Sequence, residues 1–446
     1  MTVTLSVVAR GCSLAIALVC GVLTARVILG DAGVEYYALY TLITALPSLI
    51  SFSDLGAGAV VVNATATSDD VRHDGDVRIL VTSVGRIMLC FAAVGLLVDV
   101  GLLVSGAWGS ILGDAGRIPG APECAFLALC IFCAYIPLGI WQRILLGLGK
   151  NHVIILVQLF QGPINLALVW CVVSFAGRPG YPFVALSSMV AALLIAVAGF
   201  TLVWRRTSPL LRFTVRDVFR FRSVPGVRVM DVGWPMLAQL LATPLSMTMQ
   251  RYILAQYAPV NEVAVYAAAG QVFFALSGLV SAGGMALWPA FARARHRGEA
   301  VRGPYGLALV FATVTAVICA VIIVVSPWLF SFITNGRLTI PLPVLLWFSA
   351  MIVAQAALYP LGMFIMDRPG IRFQVAPVLL MAASTVVLAL VLTPLWGVTG
   401  PLAANTTAVV VFQVVPFALY IHRHRDRLLV RPAAERDQPD PVKEPR

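Results

Sequence analysis

The chain has 446 residues, of which 60% are hydrophobic and 11% charged, with a mean hydropathy of +0.92. Soluble domains carry about a quarter charged residues, so the composition excludes a water-soluble globular protein and requires an integral membrane one. The net charge of +11 does not point to nucleic acid, because the arginines lie between apolar segments rather than in a basic domain.

A bilayer-spanning helix needs roughly 20 mostly apolar residues. By that measure the sequence predicts twelve spans, at 6–28, 36–58, 80–104, 124–147, 153–175, 182–204, 232–256, 262–288, 305–333, 341–365, 372–394 and 398–421. The third has an alternative start after Arg86. The first begins like a signal peptide, but Arg10 within it and the immediate entry into further spans favour an uncleaved helix. Prolines at 47, 137, 163, 235 and 244 interrupt spans and are expected to kink them. Tyr36, Tyr37, Tyr181, Trp234, Trp288, Trp328 and Trp396 lie near span ends and read as an interfacial aromatic belt.

Between spans six and seven runs Arg205 to Arg228, with seven arginines and one acid, Asp217. With both termini inside, 26 of the 31 lysines and arginines fall on the cytoplasmic side and five (Arg26, Arg117, Arg178, Arg251, Arg337) on the other. That asymmetry has the sign and size of the positive-inside rule. The basic stretch then reads as a cytoplasmic linker against anionic headgroups, dividing the spans six and six. Residues 1–204 form an N-terminal lobe, 205–231 the linker, 232–421 a C-terminal lobe, and 422–446 a charged, Pro-rich tail read as disordered. Short echoes support an internal parallel repeat. Arg26-Val-Ile-Leu29 recurs as Arg251-Tyr-Ile-Leu254, Tyr40 as Tyr266, and Leu49-Ile-Ser51 as Leu279-Val-Ser281, in order and at equivalent depths. The fold class is an all-α polytopic membrane protein.

No nucleophile-base arrangement, Walker loop, H-E-x-x-H or acidic metal cluster is visible, so the chain reads as a non-enzyme without cofactor or metal. Cys130-x-x-Cys133 has no second pair or nearby histidine and reads as two small apolar residues on one helix. Charges within spans are costly and mark function by default. The basic candidates are Arg10, Arg26, Arg143 and Arg251; Arg86 and Arg143 also suit snorkelling to headgroups. Arg26 and Arg251, matched in the repeat, would face a shared cavity where guanidinium binds phosphate oxygens bidentately. Among the acids, Asp54 suits a helix contact beside glycines, and Asp99 a proton or cation site.

Arg26-x-x-Leu-Gly30, a short acidic turn, Tyr36-Tyr-Ala-Leu-Tyr40 and a span ending Asp54-Leu-Gly56 resemble the start of the bacterial polysaccharide flippases. These belong to the multidrug/oligosaccharidyl-lipid/polysaccharide exporter superfamily. Arg143-Ile-Leu-Leu-Gly147-Leu-Gly149-Lys150 is similar to their turn between spans four and five, and Gln250-Arg251 with Tyr266-Ala-Ala-Ala to their seventh and eighth spans. This chain departs from the family in having Gln250 where an Asp-Arg pair is common, and in the order Gly33-Val-Glu35-Tyr36. The resemblance implies a V-shaped two-lobed bundle in the bacterial plasma membrane. It would move polyprenyl-diphosphate-linked oligosaccharide from the inner to the outer leaflet, amid membrane lipids and with a polysaccharide polymerase and glycosyltransferases as partners. A multidrug/cation antiporter of the same superfamily is the alternative; a peptidoglycan-precursor flippase would have two more spans. A membrane-embedded polymerase or glycosyltransferase, the less favoured reading, would carry catalytic acids on a large outer loop, but the longest outer loop, 105–123, has only Asp114 and Glu123.

Overall fold

The computed structural model describes residues 2–49, 57–68, 70–220, 234–285, 287–288, 291 and 303–428. Asp54 and the tail from 429 lie outside the described residues, as does the second half of the linker. Among the described residues, ten helices are long and apolar enough to cross a membrane. The protein is therefore a multi-pass membrane protein. Two expected spans are not among the ten. The second runs as α2 (Val34–Leu49) and α3 (Ala57–Thr67) on either side of undescribed residues. The seventh, a helix of 24 residues over Trp234–Tyr257, carries Gln239, Gln250, Arg251 and Gln256, which lower its hydropathy.

The N-terminal half begins with α1 (Thr2–Val27), which widens into a π-helical turn at Ile28–Ala32 before α2. The third span, α4 (Gly75–Val104), starts eleven residues before Arg86, which removes the alternative start. Asp74 sets that start by accepting from the amides of Asp76 and Val77 at 2.9 and 3.1 Å, donors a first turn otherwise leaves unpaired. A short helix, α5 (Ala107–Ile111), and a 3-10 turn over Gly113–Arg117 follow.

Prolines decide where the next spans break. Pro137 removes a backbone donor, so span four is split into α6 (Ala121–Leu138) and α7 (Ile140–Gly147). Span five is split at Phe160 into α8 (Asn151–Leu159) and α9 (Gln161–Phe175), with Pro163 in the first turn of the new helix. A single turn, α10 (Gly177–Gly180), leads to α11 (Ser187–Thr207). That helix takes in Arg205 and Arg206, so it runs three residues past the expected lobe boundary at 204.

The first part of the basic linker is itself folded. Helix α12 (Leu210–Asp217) buries Leu210, Leu211, Thr214 and Asp217 against α4 and leaves Arg212, Phe213, Val215 and Arg216 exposed. Asp217, with 5% of its side chain exposed, pairs with Arg78, whose guanidinium also stacks 4.6 Å from the Phe213 ring. Arg86 donates to the carbonyls of Asp217 (2.8 Å), Val218 (2.9 Å) and Arg220 (3.1 Å). The expectation that Arg86 snorkels to headgroups is corrected: it closes the carbonyl end of α12, where a cation meets the negative end of the helix dipole.

The C-terminal half comprises α13 (Trp234–Tyr257), α14 (Val260–Met285), α15 (Tyr305–Thr334), α16 (Leu342–Phe364), α17 (Arg368–Trp396), α18 (Thr399–Val409) and α19 (Val415–Arg423). A π-helical stretch, Val410–Val414, separates the last two just before Pro416. The halves meet where α1 and α2 pack on α13, α14 and α15, with the loop after α4 against α13. Among the described residues, the side-chain hydrogen bonds between the halves cluster at one end of the bundle, the end of Arg26 and Arg251. Linker helix α12 lies at the opposite end.

Candidate functional site

Arg26 leaves the last turn of α1 and crosses to the other half. It donates to the carbonyl of Phe332 in α15, with the guanidinium 4.4 Å from that ring. The link is reciprocal: Asn335 donates to the carbonyl of Arg26 at 3.0 Å, and Arg337 to that of Gly30 at 3.1 Å. Arg251, on α13, crosses the other way and donates to the carbonyl of Thr41 in α2 at 3.3 Å. The faces of Tyr266 and Phe274 lie 5.9 and 5.7 Å from its guanidinium, within cation–π range. The neighbouring Tyr252 donates to the Leu42 carbonyl at 2.8 Å. Gln256 donates to the carbonyls of Ser110 and Ile111 in the loop after α4. Each of these cross-links runs from a side chain to a main-chain oxygen, and together they close one end of the bundle.

The sequence pairs Arg26 and Arg251 as cations facing one cavity. The structure places both at the same end but on separate partners, each holding the opposite half. Among the described residues, the ion pairs include Arg78–Asp217, Arg117–Asp114 and the exposed Asp70–His73 contact. Arg26 and Arg251 are in none of them. Gln250 is buried, accepts from the Tyr266 hydroxyl at 3.2 Å and donates to the Ser246 carbonyl at 3.4 Å. A neutral amide thus satisfies the site where the family pattern has an acid. Arg143 stands on α7 beside Tyr135, in the other part of the N-terminal half. Arg10 lies on α1.

Asp99 is fully buried in α4 and accepts from the Trp108 indole at 3.0 Å and the Cys130 thiol at 3.5 Å. With both oxygens engaged, it anchors the loop after α4 to the third and fourth spans. That same loop meets α13 closely. Gly113 has φ +61°, and a Cβ there would sit 1.8 Å from the Ala255 carbonyl oxygen. Only glycine permits both the left-handed backbone and the approach.

Between these features the N-terminal half contains a cavity of about 310 Å³, lined by Tyr40, Thr44, Phe132, Tyr135, Gln161 and Ser188 among others. Asn165, outside the lining itself, holds the lining residue Tyr40. It donates to the Tyr40 hydroxyl at 2.9 Å, lies 3.5 Å from the Thr24 hydroxyl and accepts from Ser187 at 2.8 Å. Neutral hydroxyls, amides and ring faces of this kind suit a polar, uncharged ligand such as a sugar. Charge-based reading of the sequence misses them. The available signal is the presence of Gln161 and Asn165 four residues apart, hence on one helix face, in an otherwise apolar span.

The sequence model of the family described as "Polysaccharide biosynthesis protein" matches residues 2–295. No curated protein matches the sequence. Among solved structures, the fold is similar to that of lipid II flippase MurJ in an inward closed conformation, with a TM-score of 0.60 and 14% identity over 94% of this chain and 87% of that one. It is also similar to an inward-facing multidrug resistance MATE family transporter of the MOP superfamily, with a TM-score of 0.58 and 15% identity over 93% and 98%. At these identities the likeness is one of fold.

Proposed function

The chain belongs to the polysaccharide biosynthesis protein family, and from that premise we propose that it is a flippase for polyprenyl-diphosphate-linked oligosaccharide. It has twelve spans in two repeat-related lobes, both termini are cytoplasmic, and the Arg26 end faces outward. The carrying observation is the pair of guanidiniums, Arg26 and Arg251, that cross between the halves onto main-chain carbonyls. A carbonyl is a neutral acceptor, whereas a phosphate adds ion-pair attraction and can accept from a guanidinium bidentately. A diphosphate entering from the inner side therefore competes favourably for both guanidiniums, supported by Arg10 and Arg143 on the approach.

Releasing the carbonyls loosens the outer closure, and the population moves toward an outward-open state. The sugars meanwhile occupy the Tyr40–Gln161 cavity, whose neutral groups hold hydroxyls without trapping a charge. Asp99 keeps the outer loop in register for reclosure. Asp54 has a helix-contact role in this scheme.

The test is complementation of a flippase-deficient strain, with lipid-linked oligosaccharide exposure measured in reconstituted vesicles. Removing one charge-assisted bond costs about 1.5–3 kcal/mol, so Arg26→Ala and Arg251→Ala should each slow translocation by an order of magnitude or more while expression and insertion persist. Full complementation by the double variant overturns the proposal. Arg26→Lys performing as well as the parent removes the bidentate account and leaves one based on charge alone.

A further inference from the structure

Beneath the linker helix, at the end of the bundle away from Arg26, lies a second cavity of about 340 Å³. Ligand pockets begin at about this size, roughly 300 Å³. Its walls are apolar: Gly85 and Leu89 from α4, Pro137 where span four breaks, Phe200 from α11, and Val215 and Phe219 from the linker. It has no role in the translocation path set out above.

Three observations bear on what it can hold. First, the roof is fixed. The Arg78–Asp217 pair and the bonds from Arg86 to the carbonyls of Asp217, Val218 and Arg220 hold α12 on α4, so the space beneath is built into the fold. Second, the roof is amphipathic in the manner of a helix lying in a membrane surface: Phe213, Val215 and Phe219 are 39%, 46% and 76% exposed. Third, the charges are placed beside the opening. At about 100° per residue, Arg212 and Arg216, one turn apart and both exposed, follow directly on the stripe of Leu211, Val215 and Phe219 that lines the cavity. An apolar slot edged by two guanidiniums is complementary to a hydrocarbon chain ending in a phosphate.

We propose that this cavity binds an anionic phospholipid of the adjacent leaflet, with an acyl chain beneath α12 and the headgroup phosphate on Arg212 and Arg216. The lipid is a fixed component that clamps the linker, separate from the cargo.

The test uses the purified full chain in nanodiscs containing equal parts dioleoyl-phosphatidylglycerol and dioleoyl-phosphatidylcholine. Co-purifying lipid is counted by native mass spectrometry after detergent release. The parent should retain phosphatidylglycerol over phosphatidylcholine, and Arg212→Gln/Arg216→Gln should weaken that preference by roughly 30-fold, at about a tenfold effect per 1.4 kcal/mol and about 1 kcal/mol per arginine. Gly85→Leu, which fills the slot, should lower retention of both lipids. Unfolding temperature in lipid-free detergent serves as the folding check, and both variants should match the parent there. Equal retention of the two lipids by the parent overturns the proposal, and so does a preference that survives in the arginine variant. Undiminished retention in Gly85→Leu overturns the acyl-chain placement.

Discussion

Gly113→Ala should open the Arg26 end of the molecule. A methyl at this position would lie 1.8 Å from the Ala255 oxygen, whereas ordinary contact begins at 3.4 Å. The loop after α4 and helix α13 must then part by about 1.6 Å, the difference of those two distances. The left-handed backbone costs the alanine about 1–2 kcal/mol, but it does so whether the end is closed or open and cancels from their ratio. The overpacking, about 1–3 kcal/mol, falls on the closed form alone. A differential of that size changes the closed-to-open ratio by about 5- to 150-fold. Thr41→Cys reports the change. Thr41 is 6% exposed beneath Arg251, so its thiol is shielded from an impermeant maleimide while the end is shut. Labelling from the side bearing the 105–117 loop should accelerate at least fivefold when Gly113→Ala is added. The natural cysteines supply the background, read from the parent chain. An unchanged rate in a variant that inserts and folds would show that this contact does not hold the end closed.

Three further outcomes follow from the packing at the other end. Gly147→Ala brings a Cβ to 1.7 Å from the Thr65 hydroxyl and 2.6 Å from the Val62 carbonyl; it should destabilise the protein by about 1–3 kcal/mol in thermal unfolding, and Thr65→Ala should recover part of the loss and not all, since the carbonyl remains. Arg78→Ala strands the buried Asp217 carboxylate. Discounted because Arg78 is itself 35% exposed, the loss is about 2 kcal/mol, and trypsin should cleave between 205 and 220 roughly 30-fold faster in opened vesicles. Asp70 has its carboxyl held below the ordinary 3.8, chiefly by its hydrogen bond with the His73 ring. A depressed carboxyl stabilises above its unfolded pKa, so the protection factors of amides in the 70–74 turn, with the intrinsic pH dependence of exchange divided out, should stay flat from pH 7 to 5 and fall only as pH drops below about 3.8.

Much of this architecture was legible because bilayers impose a strong pattern. Apolar length marks the helices, and prolines 137 and 163 mark where spans four and five break. Arg26 and Arg251 stood out as charges in spans, but their acceptors did not: the carbonyls of Phe332 and Thr41 lie 306 and 210 residues away in the chain, and a main-chain oxygen leaves no trace in a side-chain pattern. Arg86 was misread for a related reason. A cation near a span end usually snorkels, and only the folding of 210–217 supplies the carbonyls it caps. The signal was present as Leu210-Leu211, Thr214 and Asp217-Val218 at helical spacing, hidden within a stretch that its arginines marked as a loop. The Gly147 turn matched a family motif, and its physical reason, the approach of α7 to α3, required coordinates.

The closure that joins the halves also has a mutational asymmetry. Its donors are side chains and its acceptors are backbone oxygens, so the two sides of each link differ in what substitution can do to them. Replacing Thr41, Leu42, Ser110 or Ile111 leaves the receiving oxygen in place, and replacing Phe332 removes a ring but not its carbonyl. Replacing Arg26, Arg251, Tyr252, Gln256, Asn335 or Arg337 deletes the link outright. Sequence drift on the acceptor side should therefore leave these links in place, and a mutational scan read for closure of this end should find its intolerance concentrated on six donors.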